Sequence, residues 1–187
     1  RVTTLSIHEE KRWPYSGSAD DQGGGRINAS VPTGLNDREF AHIIEALVLP
    51  YCERWSPQAV VITCGADALA ADPLSKMGLS NGALWDAVEA VREVIPTCVV
   101  LGGGGYNPWT TVRCWAGLWG RLSGRDMPQT LPLEAQAILA KFDSDLIDEE
   151  DRDRLWLTAL QDKPNNGPIR ESVIALTRVL YQRHIAG

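Results

Sequence analysis

Four consecutive glycines, Gly102–Gly105, stand between an apolar run, Cys98-Val99-Val100-Leu101, and a segment that opens Asn107-Pro108-Trp109. The run reads as a buried strand. Asn107 followed by Pro108 is a favoured cap and first-turn pair, so a helix starts there. Residues without side chains let the backbone turn sharply and press close to a ligand or another element. The first side chain past the gap is Tyr106. It stands at the C-terminal end of a strand, where open α/β sheets bind their ligands. A tight turn with a packed tyrosine is the plainer alternative.

The same arrangement occurs one strand earlier. Val60-Val61-Ile62-Thr63-Cys64 runs into Gly65, Ala66 and Asp67. Asp67 has the placing of a metal ligand or general base, although a single Asp at such a point is more often a turn former or helix cap. Asp72, in Ala71-Asp72-Pro73, reads as a structural residue that caps the loop carrying Asp67.

Strand signals lie at Val2–Ser6, Ile27–Val31, Val60–Thr63 and Cys98–Leu101. Helical periodicity predicts helices over Asp37–Arg54, with Phe40, Ile43, Ile44, Leu47 and Val48 inward, and over Asn81–Val94. It predicts a third from Pro108, with Trp109, Val112, Ala116 and Trp119 in register. Strands alternating with helices argue for an α/β fold, three layers αβα with a mainly parallel sheet and right-handed crossovers. Continuously apolar strands argue that both sheet faces are covered. The character changes after Pro132. Residues 1–132 read as α/β domain and residues 133–187 as a helical extension packed on it. In that extension Ile147-Asp148-Glu149-Glu150 resembles a helix start, and a last helix spans Ile169–Ile185 with Val173, Leu176, Val179 and Leu180 inward.

The 187 residues leave room for one domain with a sizeable core. A net charge of −6 with no Lys/Arg cluster argues against direct nucleic-acid binding. No run is long and apolar enough to span a bilayer. The four cysteines show no metal spacing and read as small core hydrophobes of a reducing, cytoplasmic compartment.

The two glycine motifs, in this order, resemble those of the zinc-dependent histone deacetylases of the arginase/deacetylase superfamily, including the bacterial acetoin-utilisation deacetylases. Arg113-Cys114-Trp115 also resembles the family's helix after the tyrosine. So does Leu5-Ser6-Ile7-His8-Glu9 with Trp13-Pro14 beyond it. The resemblance runs from Val2 to about Pro132. It implies that Asp67 is a zinc ligand and Tyr106 the catalytic hydroxyl. It implies that Trp13 lines, and Leu74 rims, an acyl-lysine tunnel, with Gly104 and Gly105 beside the substrate. It implies that Ser6 and the Ile7 carbonyl match a potassium site. His8 has no ligand role in that pattern and reads as a hydrogen-bonded core or loop residue.

The family's tandem histidines and its aspartate-any-histidine zinc pair lie ahead of the Leu5-Ser6 strand. The three histidines here, His8, His42 and His184, have no such spacing. His42 and His184 read as surface groups. The chain is therefore expected to be the C-terminal part of a deacetylase domain, inactive alone. Its substrate would be an acetylated lysine in a protein or an acetylated small amine. A homo-oligomer is compatible with the sequence. Three alternatives stay open: an acetylpolyamine amidohydrolase, a nucleotide-binding module that uses the glycine run for phosphate, and a non-catalytic scaffold. The glycine run lacks the G-x-G-x-x-G order and a Walker lysine, which weakens the nucleotide alternative.

Overall fold

A computed structural model describes residues 2–187. Strand β1 (Thr4–Glu9) pairs in parallel with β2 (Arg26–Val31), Thr4 opposite Arg26 and Glu9 opposite Val31. Strand β3 (Val60–Cys64) pairs in parallel with β4 (Cys98–Gly102), Val60 opposite Cys98 and Cys64 opposite Gly102. Among the described residues the two pairs share no ladder, so the parallel architecture is present as two halves. β1 lies further along than Val2–Ser6 because Ile7, His8 and Glu9 continue the ladder against Ala29, Ser30 and Val31. Polar His8 and Glu9 hid that continuation.

The first predicted helix is one continuous helical run in three parts. Helix α1 (Asp37–Ile43) passes into a π-helical segment, Ile44–Val48, and then into α2 (Leu49–Trp55). Pro50 sits in the first turn of α2 and cannot donate to the turn before it. The wider π turn accommodates that missing bond. Asn36 caps α1, its side chain accepting from the amides of Arg38 and Glu39, while Glu39 accepts in return from the Asn36 amide. Helix α3 (Asn81–Val94) and α4 (Pro108–Leu122) begin where the periodicity places them. Ser80 caps the first and Asn107 the second. Helices α5 (Leu133–Leu139), α6 (Arg154–Thr158) and α7 (Glu171–His184) follow. The expected helix start at Ile147 is instead a 3-10 turn at Glu149–Asp151.

One large core joins Ile27, Ala29 and Val31 of β2, Ile43 and Leu47, Cys64 of β3, Trp85 and Val88 of α3, Cys114 and Leu118 of α4, and Val173 and Leu180 of α7. Three points concern faces, the last two of them corrections to the sequence reading. The first is the face of β3 and β4 that these residues cover: Ile62, Cys64 and Val100 pack inward, while Val61, Thr63, Val99 and Leu101 are exposed. The second is that α4 buries Trp109, Thr110, Arg113, Cys114, Gly117 and Leu118, leaving Val112, Ala116 and Trp119 outside. A Cβ on Gly117 would overlap the Trp85 ring, so a glycine and an arginine build the inner face that apolarity alone misassigns. The third is in α7, where Thr177 is buried between Val173 and Leu180 while Val179 is exposed. Thr177 Oγ1 lies 3.1 Å from His42 Nε2.

That contact makes His42 a half-buried packing partner rather than a surface group. His184 is likewise half-buried, and its carbonyl accepts from Trp55 Nε1 at 3.1 Å. Burial, and then Arg183, hold the His184 imidazole below the ordinary histidine range.

Residues 159–170 are tied to the α/β elements by buried polar groups. Arg113 donates to Asp162 at 2.7 Å and to the Ala159 carbonyl at 2.6 Å. Asn81 and Asp162 exchange bonds, Asp162 Oδ2 accepting from the Asn81 amide and Asn81 Oδ1 from the Asp162 amide. Asp37 accepts from Ser80 and from the Asn165 amide. Glu39, fully buried, accepts the Arg170 fork at 2.6 and 2.7 Å.

Candidate active site

Parallel pairing of β3 with β4 puts the C-terminal ends of both strands side by side. Both glycine motifs therefore emerge at one edge. They interlock there: the Gly104 carbonyl accepts from the Ala66 amide at 2.7 Å and from the Asp67 amide at 3.3 Å. A Cβ on Gly103 would lie 2.8 Å from Gly65 Cα, and one on Gly104 would overlap the Asp67 carboxylate. The glycines are required by this close approach of two backbones and a carboxylate. The run is thus packed against Gly65 and Asp67. It is not an open cradle for phosphate, and the nearest side-chain charge is negative.

Asp67 lies in a 3-10 turn, Ala66–Ala68, and is half-buried. Burial, and then the negative charge of Asp72, raise its carboxyl above the ordinary aspartate range. Such a carboxylate gains from a cation placed against it. Asp72 is itself buried and has both oxygens engaged. Oδ1 accepts from the Leu74 amide at 2.9 Å and Oδ2 from the Tyr106 amide at 2.7 Å. Asp72 therefore does more than cap its own loop, because it fixes the Tyr106 backbone to the Asp67 loop. Asn107 adds a second tie, donating from Nδ2 to the Ala71 carbonyl at 3.0 Å. Tyr106 is left 43% exposed at the start of α4, and Leu74 is 48% exposed.

Trp13 is 77% exposed on the loop after β1. Its loop meets the Leu74 loop through Glu9, a residue that sequence reasoning passed over as part of a strand motif. Its Oε2 accepts from the Lys76 amide at 3.0 Å and from Arg12 Nε at 2.9 Å, and its Oε1 from Arg12 Nη2 at 2.8 Å. The Arg12 guanidinium, helped by the Lys76 amide and opposed by burial, holds the Glu9 carboxyl below the ordinary glutamate range. A Glu–Arg pair three residues apart was visible in the sequence. Its third partner, Lys76, was not, being far along the chain.

Ser6 Oγ lies 2.8 Å from His8 Nδ1, and His8 Nε2 lies 2.7 Å from the Gly17 carbonyl. His8 thus works as a hydrogen-bonded loop residue, holding Gly17 to β1. Ser6 and Ile7 sit side by side in β1, with Ile7 half-buried.

Among the described residues, no three His, Cys, Asp or Glu side chains converge as a metal cage. Asp67 fits one corner of a catalytic zinc site, whose protein ligands usually number three. All four cysteines are free thiols: Cys52, Cys64 and Cys114 buried, Cys98 half-buried.

The histone deacetylase domain model matches residues 1–122. Histone deacetylase 9 of Arabidopsis thaliana is 31% identical over 139 residues, covering 71% of this chain and 33% of that protein. Histone deacetylase 8 of Xenopus tropicalis is 28% identical over 139 residues, 71% of this chain and 38% of that one. Among solved structures, an HDAC homolog from Aquifex aeolicus superimposes with a TM-score of 0.89 at 34% identity, over 96% of this chain and 50% of that chain. An HDAC homolog complexed with SAHA superimposes with a TM-score of 0.87, also at 34% identity and over the same shares. The fold is therefore the αβα fold of the deacetylases, and the chain spans about half the length of those solved relatives.

Proposed function

Since this chain belongs to the histone deacetylase domain family, we propose that it carries half of the active site of a zinc-dependent amide hydrolase that removes acetyl groups from lysine side chains or related amines. The observation that carries the reading is the interlock of the two strand ends, which brings a metal-type carboxylate, Asp67, beside a half-exposed tyrosine, Tyr106.

Asp67 would supply one oxygen ligand, and the remaining ligands and the general base would come from residues outside the 187. Bound zinc supplies Lewis acidity toward the amide carbonyl and an acidified water. Tyr106 donates its hydroxyl to the carbonyl oxygen as negative charge develops there, without reorganising, because Asp72 and Asn107 have already fixed its backbone. Water's oxygen ends on the acetyl carbon, the C–N bond breaks, and the lysine amine leaves with a proton. Trp13 and Leu74 would grip the aliphatic stem of the acyl-lysine, and the bare backbone of Gly104 and Gly105 would leave its path open. Ser6 and the Ile7 carbonyl would contribute to a potassium site. The net charge of −6 suits a basic protein substrate. A cytoplasmic setting agrees with free thiols. That a structural relative was solved as a complex with SAHA agrees with a ligand-binding role for this fold.

The test is Tyr106→Phe and Asp67→Asn in the whole polypeptide. Tyr106→Phe should keep zinc content, by atomic emission, and lower kcat by about 10²-fold. Asp67→Asn should lose zinc and activity together. Zinc retained in full in Asp67→Asn, or a Tyr106→Phe effect confined to KM, would defeat the assignment.

A further inference from the structure

We propose that Glu9 is a positioning residue that sets the gap between the Trp13 loop and the Leu74 loop, and through it how tightly the substrate stem is held; the proposal rests on the deacetylase reading above. Glu9 ends β1 and is 7% exposed. A buried carboxylate is costly unless it is paired and its lone pairs are filled. Here both oxygens are filled, by the Arg12 fork and the Lys76 amide. A strand end needs none of this, so the site was built to join something.

It joins two loops. Arg12 immediately precedes Trp13, and Lys76 follows Leu74 by two residues. The Lys76 carbonyl is fixed in turn by the Gly34 amide at 2.8 Å, and the Glu10 amide is fixed by the Val31 carbonyl at 2.8 Å. Both ends of the strap are thus anchored to the body near β2. Asp72 forms the next link, joining Leu74 to Tyr106 by their amides. Two buried carboxylates in series therefore space three exposed side chains, Trp13, Leu74 and Tyr106. Glu9 acts at the Trp13–Leu74 gap, with the Thr33 side chain, in the segment after β2, as a further partner. Its hydrogen-bond partners include neither Tyr106 nor Asp67, so its loss should change grip and leave the chemical step in place.

Glutamine at position 9 still accepts from the Lys76 amide but cannot accept both prongs of a guanidinium. In the whole polypeptide, Glu9→Gln should raise KM for an acetyl-lysine peptide about tenfold with kcat held within about twofold. Arg12→Ala removes the other partner at a side chain that is 41% exposed, which spares folding, and should give the same split. Arg12→Lys keeps the charge but not the fork, so its KM should fall between wild type and Arg12→Ala. A second readout needs no activity: trypsin should cut after Arg12 faster in Glu9→Gln than in wild type. Unchanged KM in both Glu9→Gln and Arg12→Ala, or equal tryptic rates, would overturn the proposal. So would a loss confined to kcat. A wild-type protein that hydrolyses no acetyl-lysine peptide while Glu9→Gln still opens the Arg12 bond to trypsin would defeat the deacetylase reading and uphold the strap.

Discussion

Gly104 has no side chain because the Asp67 carboxylate occupies the place where one would go. Its carbonyl meanwhile holds the Ala66 and Asp67 amides. The residue is a wall behind the Asp67 carboxylate, a role distinct from the substrate-side one expected from the sequence. Gly104→Ala should therefore displace Asp67 and destabilise the fold by about 1–3 kcal/mol, the usual scale for a methyl forced into a packed site. The check is a thermal melt combined with zinc content. Both should fall, and zinc should fall further than the melting temperature alone would explain. Local pattern singled out Asp67 and Tyr106 because each is the first reactive side chain past a strand and a glycine, and the structure joins their two loops. Glu9 and the second role of Asp72 were not, because their partners lie far along the chain.

Helix α4 shows what element-scale patterning can and cannot give. Its start was fully legible, since Asn107 and Pro108 carry the cap chemistry in their own atoms. Its buried face was not. Two of the inward positions are Arg113 and Gly117, which no apolar periodicity selects. Arg113 is buried because Asp162 and the Ala159 carbonyl come back to meet it. That makes its ion pair a fastener between α4 and the segment beyond α6. Removing the carboxylate would strand a buried guanidinium. Asp162→Ala should cost on the order of 3–5 kcal/mol, the range for breaking one side of a buried pair. Chemical denaturation should show a lower midpoint at an unchanged slope. A shift below about 0.5 kcal/mol, ordinary for surface substitutions, would mean that solvent reaches Arg113.

At the scale of the whole molecule, the alternation of strand and helix was enough to place the chain in the α/β class, but not to show which face of β3 and β4 these 187 residues themselves cover. Val61, Val99 and Leu101 are as apolar as Ile62 and Val100, and only the packing of the other elements separates them. The sequence placed residues 133–187 against the α/β part, but the groups that fasten them there were not legible. The fastening depends on polar groups far apart in the chain, from Arg113 with Ala159, 46 residues apart, to Glu39 with Arg170, 131 apart. Burial alone would raise the Glu39 carboxyl. The Arg170 fork and the Arg170 and Asn36 amides outweigh it and hold that carboxyl below its ordinary value of 4.5. A carboxyl depressed by folding binds its proton more tightly when unfolded. Its contribution is present above pH 4.5 and is lost as the pH falls through 4.5 toward the lower folded value. The part of stability that Glu39 supplies should therefore be nearly flat from neutrality to about pH 5.5 and decline below about pH 4.5. Glu39→Gln should lower stability at pH 7 and flatten that decline, because the uncharged side chain has no proton to gain. Urea melts of both proteins between pH 3.5 and 7 would show the two curves converging on the acid side. Parallel curves would place the acid-sensitive carboxylates elsewhere and remove Glu39 from the account.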